Sequence, residues 1–172
     1  MQNQQNSNQM HQNMHTGNIP QQMNHGGHEV LDVGEVLSGS IGLMDQYTLL
    51  RGHVQDQELL NILDRQYQFM QQEYNTLVDC FQSGKDPAVP TQSYKMQQDN
   101  NFVYGLQPSQ PKKPLQSVSE LTDECISGLM LGGVKSSASM KTVAACETTN
   151  PVVRRVLADS IPNCIEMAYA LS

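Results

Sequence analysis

Carboxylates on predicted helices are the first candidates for chemistry in this sequence. Di-iron sites in helical bundles take a Glu from each of two helices and a Glu-x-x-His pair from each of the other two. Here Glu73 is followed at the third position by Thr76, and Glu166 by Tyr169. Neither predicted helix supplies the His partner, so we predict no metal site and interpret Glu35 and Glu73 as solvated carboxylates.

Histidine and cysteine add no clear site. His11 and His15 are four residues apart, but they lie in a segment that is a poor helix candidate. The cysteines form no C-x-x-C and lack a zinc-finger spacing, so we interpret them as small, buried, reduced side chains, with a late cross-link as the alternative. They are Cys80, Cys125, Cys146 and Cys164.

The known catalytic sequence motifs are also missing. The sequence has no G-x-S-x-G, no P-loop, no H-E-x-x-H and no Rossmann glycine pattern. We therefore predict no catalytic residues, no cofactor and no small-molecule substrate, and we expect that the chain is not an enzyme.

Charge and hydrophobicity exclude two classes of partner. The 172 residues include 10 Lys and Arg against 17 Asp and Glu, for a net charge of −7, which disfavours nucleic acid. No segment approaches the roughly 20 apolar residues that span a bilayer, so no membrane insertion is predicted. The first residues have neither a basic start nor an apolar stretch, so we expect no signal peptide.

Two regions of different composition follow one another along the chain. Residues 1–27 are rich in Gln, Asn and Met and carry no Asp, Glu, Lys or Arg, which predicts a disordered tail. Such amide-rich tracts also associate between chains, so adhesion is an alternative to a solvated tail. Residues 28–172 predict one helical domain, with helices at about 29–52, 56–83, 117–148 and 150–171.

Apolar spacing and capping residues define these helices. The expected caps are Asp56, Gly84, a Ser117/Glu120 capping box, and Asn150 followed by Pro151. The first helix repeats apolar residues at Val30, Val33, Leu37, Ile41 and Met44, with Thr48 continuing the spacing. The second repeats Leu60, Leu63, Tyr67, Met70, Tyr74, Leu77 and Phe81, and a flanking line carries Gln66 and Glu73. The last repeats Val153, Leu157, Ile161, Cys164, Ala168 and Leu171, with Pro162 expected to kink it.

A long connection separates the two helical pairs. Residues 84–117 are rich in Pro and Gln, which predicts an extended crossover. Its short apolar segments, 94–96 and 102–104, indicate that it is held against the helices. Two hairpins joined by a crossover long enough to run the length of a bundle predict an all-α, ferritin-like four-helix bundle.

Small residues recur on the first and third helices. Glycine inside a helix costs about 0.5–1 kcal/mol relative to Ala, so a compensating close approach of the two helices is expected. We predict that these helices pack along two stripes at four-residue spacing. The stripes are Gly34, Ser38 and Gly42, and Gly128, Gly132 and Ser136.

Three segments carry a resemblance to a known family. Residues 123–128 (DECISG), 135–138 (KSSA) and 147–154 (ETTNPVVR) resemble the spore coat protein F (Coat F) family of endospore-forming bacteria. The resemblance implies a ferritin-like bundle that is a structural component of the spore coat, made in the mother-cell cytoplasm. It implies other spore coat proteins, and further copies of the chain, as partners, and it supplies no catalytic residues.

Two other functions stay open at this point. One is a ferritin-like, metal-dependent oxidase or catalase relative with an atypical ligand set. The other is an adaptor that binds one specific partner through residues 84–117.

Overall fold

The structure, a computed structural model, describes residues 25–98, 104–105, 108 and 110–172. These residues contain four α-helices. A 3₁₀ turn, Val118–Glu120, precedes the third helix, and these described residues contain no β-strand. The predicted all-α class is confirmed. The helices are α1 (Gly27–Arg51), α2 (Gln57–Ser83), α3 (Asp123–Glu147) and α4 (Pro151–Tyr169).

The predicted tail falls largely outside this range. Positions 1–24 lie outside the described residues, so the disorder expected there stays a prediction. The last three tail residues are described, and α1 already begins at Gly27.

Contacts between helix ends fix the direction of each helix. The Asp123 carboxylate, at the start of α3, accepts hydrogen bonds from the N–H groups of Gln55 (2.9 Å) and Asp56 (3.0 Å), between α1 and α2. At the opposite end, Glu29 near the start of α1 accepts one from the N–H of Asn150 (3.0 Å), between α3 and α4. Therefore α1 is antiparallel to α2 and α3. The neighbouring pairs are α1–α2, α1–α3, α2–α4 and α3–α4.

Three predicted caps are confirmed. The Asp56 carboxylate accepts a hydrogen bond from the N–H of Leu59 at 2.9 Å and so begins α2. Gly84 ends α2 with φ +64°, a left-handed conformation that glycine adopts without a Cβ clash. The Asn150 side chain accepts hydrogen bonds from two N–H groups of α4 at 3.0 and 3.2 Å, and Pro151 occupies the first turn.

The predicted start of the third helix is wrong. Ser117 precedes only the 3₁₀ turn and makes no side-chain capping hydrogen bond. The backbone at Leu121 and Thr122 is extended, which interrupts the helix. Thr122 is the true N-cap of α3, because its hydroxyl accepts a hydrogen bond from the N–H of Cys125 at 3.3 Å.

The buried face of α1 is rotated from the predicted one. Val30, Ile41 and Thr48 are exposed, although the spacing placed them inside. The α4 stripe is confirmed at Val153, Leu157, Cys164 and Leu171, which are all buried. The residues that α1 buries are Glu29, Val33, Val36, Leu43, Met44, Tyr47 and Leu50.

The crossover is held against the helices at its first apolar segment, 94–96, as predicted. Tyr94 is buried, and its ring meets that of Phe69 edge-on with centroids 5.2 Å apart. The second apolar segment, 102–104, lies outside the described residues except for Tyr104, which is exposed. Among the described residues, no helix is both long and apolar enough to cross a membrane.

Candidate functional site

An ion pair lies in the interior of the bundle. Lys141 of α3 donates a hydrogen bond from Nζ to Oε2 of Glu73 on α2 at 2.8 Å. Their side chains are only 8% and 9% exposed. Solvated carboxylates were expected at Glu35 and Glu73. Glu35 is exposed, but Glu73 turns inward beside Lys141 because it lies on the same face of α2 as the buried Gln66.

A carboxamide from α4 completes this centre. Asn163 donates from Nδ2 to Oε1 of Glu73 at 2.6 Å and to the carbonyl oxygen of Gln92 at 2.8 Å. Its Oδ1 accepts a hydrogen bond from the N–H of Tyr94 at 2.8 Å. One Glu73 carboxylate therefore bridges the Lys141 amine and the Asn163 carboxamide. We call Glu73, Lys141 and Asn163 the polar centre.

Charge compensation keeps this lysine protonated. Burial lowers the pKa of Lys141, but the negative charge of Glu73 and the interactions with Glu73 and Cys164 together raise it by more. The Cys164 Sγ lies 3.5 Å from the lysine Nζ. A buried pair of this kind is stable only while both partners are present, because removing one leaves an uncompensated charge.

The space beside the polar centre is small. A cavity of about 20 Å³ is lined by both charged side chains together with Ser40, Met70 and Ser160. That volume holds about one water molecule. It has no room for an organic substrate.

A second hydrogen-bond chain crosses the interior between α1 and α4. The Tyr47 hydroxyl donates to Oε1 of Gln66 at 2.6 Å, and the Gln66 Nε2 donates to the carbonyl of Met167 at 3.0 Å. Burial raises the pKa of Tyr47, so its hydroxyl stays protonated and keeps its proton for this bond. These hydrogen bonds connect α1, α2 and α4, and they give both the Tyr47 and the Gln66 side chain a partner.

Glu29 forms a further polar cluster at the other end of the bundle. Its Oε2 accepts hydrogen bonds from the Thr149 N–H (3.0 Å), the Thr149 hydroxyl (2.8 Å) and the Asn150 N–H (3.0 Å). Its Oε1 faces Nδ1 of His25 at 2.8 Å, and the other ring nitrogen faces the Phe81 carbonyl at 2.6 Å. Burial raises the pKa of Glu29, but these hydrogen bonds lower it by more. The carboxylate fastens α1 to the start of α4.

The predicted helix-packing stripes need correction. The helices α1 and α3 do pack together. The close approach is at other glycines, because a Cβ added at Gly39 would lie 2.6 Å from the Met140 side chain and one added at Gly133 would clash with Leu43. Each contact lies one residue along the helix from a predicted position, and one residue is a rotation of about 100°. At the predicted glycines Gly34, Gly42, Gly128 and Gly132, an added Cβ would meet nothing within 4 Å. The two predicted serines, Ser38 and Ser136, are exposed.

The remaining candidate groups do not converge. All four cysteines are free. The predicted burial is confirmed for Cys80 and Cys164 but is wrong for Cys146, which is exposed. In the described part of the chain, no three His, Cys, Asp or Glu side chains group closely enough to hold a metal ion.

Comparison with known proteins identifies the family. The model of the Coat F domain matches residues 122–172. The spore coat protein F-like protein YhcQ of Bacillus subtilis (strain 168) is 51% identical over 146 residues, which cover 85% of this chain and 67% of that protein. The chain belongs to the Coat F family. The spore coat is accordingly its location, as the sequence resemblance implied. No solved structure matches it.

The Coat F match contains much of the chemistry described above. Lys141 and Asn163 of the polar centre lie within 122–172, as do Thr149 and Asn150, which bind Glu29. Glu73 lies before this range. The polar centre thus joins the matched helical pair to α2.

The sequence interpretation missed Lys141 and Asn163. One signal for Lys141 was present, since it follows the buried Met130 and Val134 at helical spacing and so falls on the inward face of α3. Asn163 had a similar signal, since it lies on α4 seven residues after the buried Val156 and four before the buried Met167.

Proposed function

We propose that this Coat F protein is a structural component of the spore coat that acts by assembling with other coat proteins and with copies of itself, and that it has no catalytic centre. The observation that carries the proposal is the Lys141–Glu73 pair. The interior carboxylate is neutralised by a cation of the chain itself, beside a cavity with room for about one water molecule.

Assembly is supported by apolar side chains that point outward from the helices. On α1, Leu31 and Leu49 are 69% and 75% exposed. Ile165 on α4 and Val143 on α3 are also exposed. Burying one such side chain fully against a partner contributes about 1.5–3 kcal/mol. Several contacts of this size per chain can hold a subunit in a shell.

We also propose the ferritin-like plan for the bundle over residues 28–172. It is supported by two hairpins, by a connection that passes from one bundle end to the other, and by the ring of neighbours α1–α2–α4–α3. An experimental structure in which α1 and α4 are neighbours would contradict this plan.

Coat incorporation of surface variants tests the assembly role. Full-length Leu31→Glu/Leu49→Glu is produced in sporulating cells that lack the wild-type copy, and the amount retained in purified coats is measured by immunoblot. Ser38→Glu/Thr48→Glu is the control, because it adds the same two negative charges at exposed positions of α1 without removing an apolar side chain.

We expect severalfold less of the double variant in the coat and no loss of the control. Circular dichroism should show equal helix content for all forms. Equal retention of the double variant would refute assembly through this face of α1.

A further inference from the structure

We propose that Lys141 and Asn163 become joined by an isopeptide bond, with Glu73 relaying the proton. The bond would connect α3 to α4 covalently inside a single chain. This inference does not depend on the assembly role, because it concerns chemistry within the folded monomer.

The geometry brings the three required groups together. A lysine amine and a carboxamide share one carboxylate, at 2.8 Å from Nζ to Oε2 and 2.6 Å from Nδ2 to Oε1. All three side chains are buried. Groups held in this way react as if at very high concentration, because the entropy of bringing them together was lost on folding.

The carboxamide is also held in a fixed orientation. Its Oδ1 accepts a hydrogen bond from the Tyr94 N–H at 2.8 Å, while its Nδ2 is fixed by Glu73 and by the Gln92 carbonyl. A backbone N–H aimed at a carbonyl oxygen stabilises the negative charge that develops there during acyl transfer. The crossover segment thus supplies the oxyanion donor.

The reaction balances without an oxidant or reductant. Lys141 passes one proton to Glu73, and the neutral Nζ attacks Cγ of Asn163. The bond from Cγ to Nδ2 breaks as Glu73 returns its proton to the departing nitrogen. The second Nζ proton also passes through Glu73 to the departing nitrogen, so one N–C bond forms, one breaks, the nitrogen leaves as ammonium, and the carboxylate of Glu73 is regenerated.

The buried environment permits the proton transfer from Lys141 to Glu73 but keeps the reaction slow. In a medium of low polarity an ion pair can collapse to a neutral amine and a neutral acid, which avoids the cost of burying two charges. The raised pKa of Lys141 keeps the neutral amine scarce. A reaction that occurs once per chain tolerates a low rate, so we expect completion over hours to days after folding.

Intact mass spectrometry of the full chain tests the inference. The folded protein is incubated at neutral pH, and its mass is compared with that of a freshly denatured sample. We expect loss of the mass of one ammonia, and a tryptic product in which the peptides carrying Lys141 and Asn163 are joined. The loss should be absent in Glu73→Gln and in Lys141→Arg, and present in the control Lys135→Arg, an exposed lysine of the same helix.

Each other outcome overturns the proposal. An unchanged wild-type mass, with the two peptides recovered separately, shows that the bond does not form. Loss of ammonia that persists in Lys141→Arg indicates cyclisation at Asn163 alone. Replacement of ammonia by water indicates deamidation. If a variant fails to fold, the wild-type mass and peptide map still decide the question.

Discussion

Removing the Glu29 carboxylate is expected to weaken the bundle more than any exposed change on α1. In Glu29→Ala, the N–H groups of Thr149 and Asn150 lose their acceptor. The Asn150 N–H is buried and costs about 1–3 kcal/mol without a partner, whereas Thr149 is exposed and its N–H can bind water, so the expected loss is about 1–3 kcal/mol. A domain of this kind is stable by about 5–15 kcal/mol, so the change removes a large share.

Glu29→Gln separates charge from shape. The amide keeps one oxygen that can accept from the start of α4, but the hydrogen bonds lose the assistance of the negative charge. Bonds to charged groups are about twice as strong as neutral ones, so we expect a loss of about 1–2 kcal/mol.

The pH dependence of the Glu29→Gln difference follows from the carboxyl pKa. Since the folded pKa of Glu29 is below its ordinary value, its contribution is complete above the unfolded pKa, about 4.3, and disappears as the pH falls through the folded pKa. Wild type and Glu29→Gln should therefore converge in acid. The comparison is repeated with His25→Asn, because the His25 ring contacts the same carboxylate.

Urea unfolding followed by circular dichroism measures these differences. Glu35→Ala is the matched control, since Glu35 is exposed on the same helix and should change the unfolding free energy by no more than about 0.5 kcal/mol. A loss in Glu29→Ala no larger than that of the control would refute the argument.

Four further outcomes are expected. Gly132→Ala should stabilise the chain by about 0.5–1 kcal/mol through helix propensity. Gly133→Ala should be less stable than Gly132→Ala by about 1–3 kcal/mol, because its Cβ meets the buried side chain of α1; equal urea midpoints would contradict this. Asp123→Ala should cost about 1–3 kcal/mol by removing the acceptor for two N–H groups at the α1–α2 turn, and an unchanged midpoint would contradict it. A maleimide should label Cys146 first and Cys80 only after unfolding, because burial raises the pKa of Cys80 to about 12; rapid labelling of Cys80 in the native protein would oppose it.

Local signals predicted the helices well. Caps such as Asp56, Gly84 and Asn150 act through hydrogen bonds to residues within a few positions, so they can be recognised from the local sequence. The start of α3 was misplaced for the same reason, since Ser117 and Glu120 have the spacing of a capping box but serve only a 3₁₀ turn.

Contacts between helices could not be predicted from such local signals. The phase of α1 depends on which side its neighbours occupy, and adjacent glycines offered two registers that the sequence does not distinguish. Glu73 and Lys141 are 68 positions apart, and a polar residue at an inward position has no local signal that names its partner. The candidate site therefore emerged only once three helices were placed together.

The metal content of the protein tests the central claim most directly. Full-length protein is purified without a tag from spores, and its iron and manganese contents are measured by elemental mass spectrometry. Our account predicts amounts far below stoichiometric, because in the described part of the chain no three His, Cys, Asp or Glu side chains group closely enough to hold a metal ion, whether Lys141 is a free cation or joined to Asn163. Stoichiometric iron or manganese that is lost in Glu73→Gln would contradict the account and indicate a metalloenzyme.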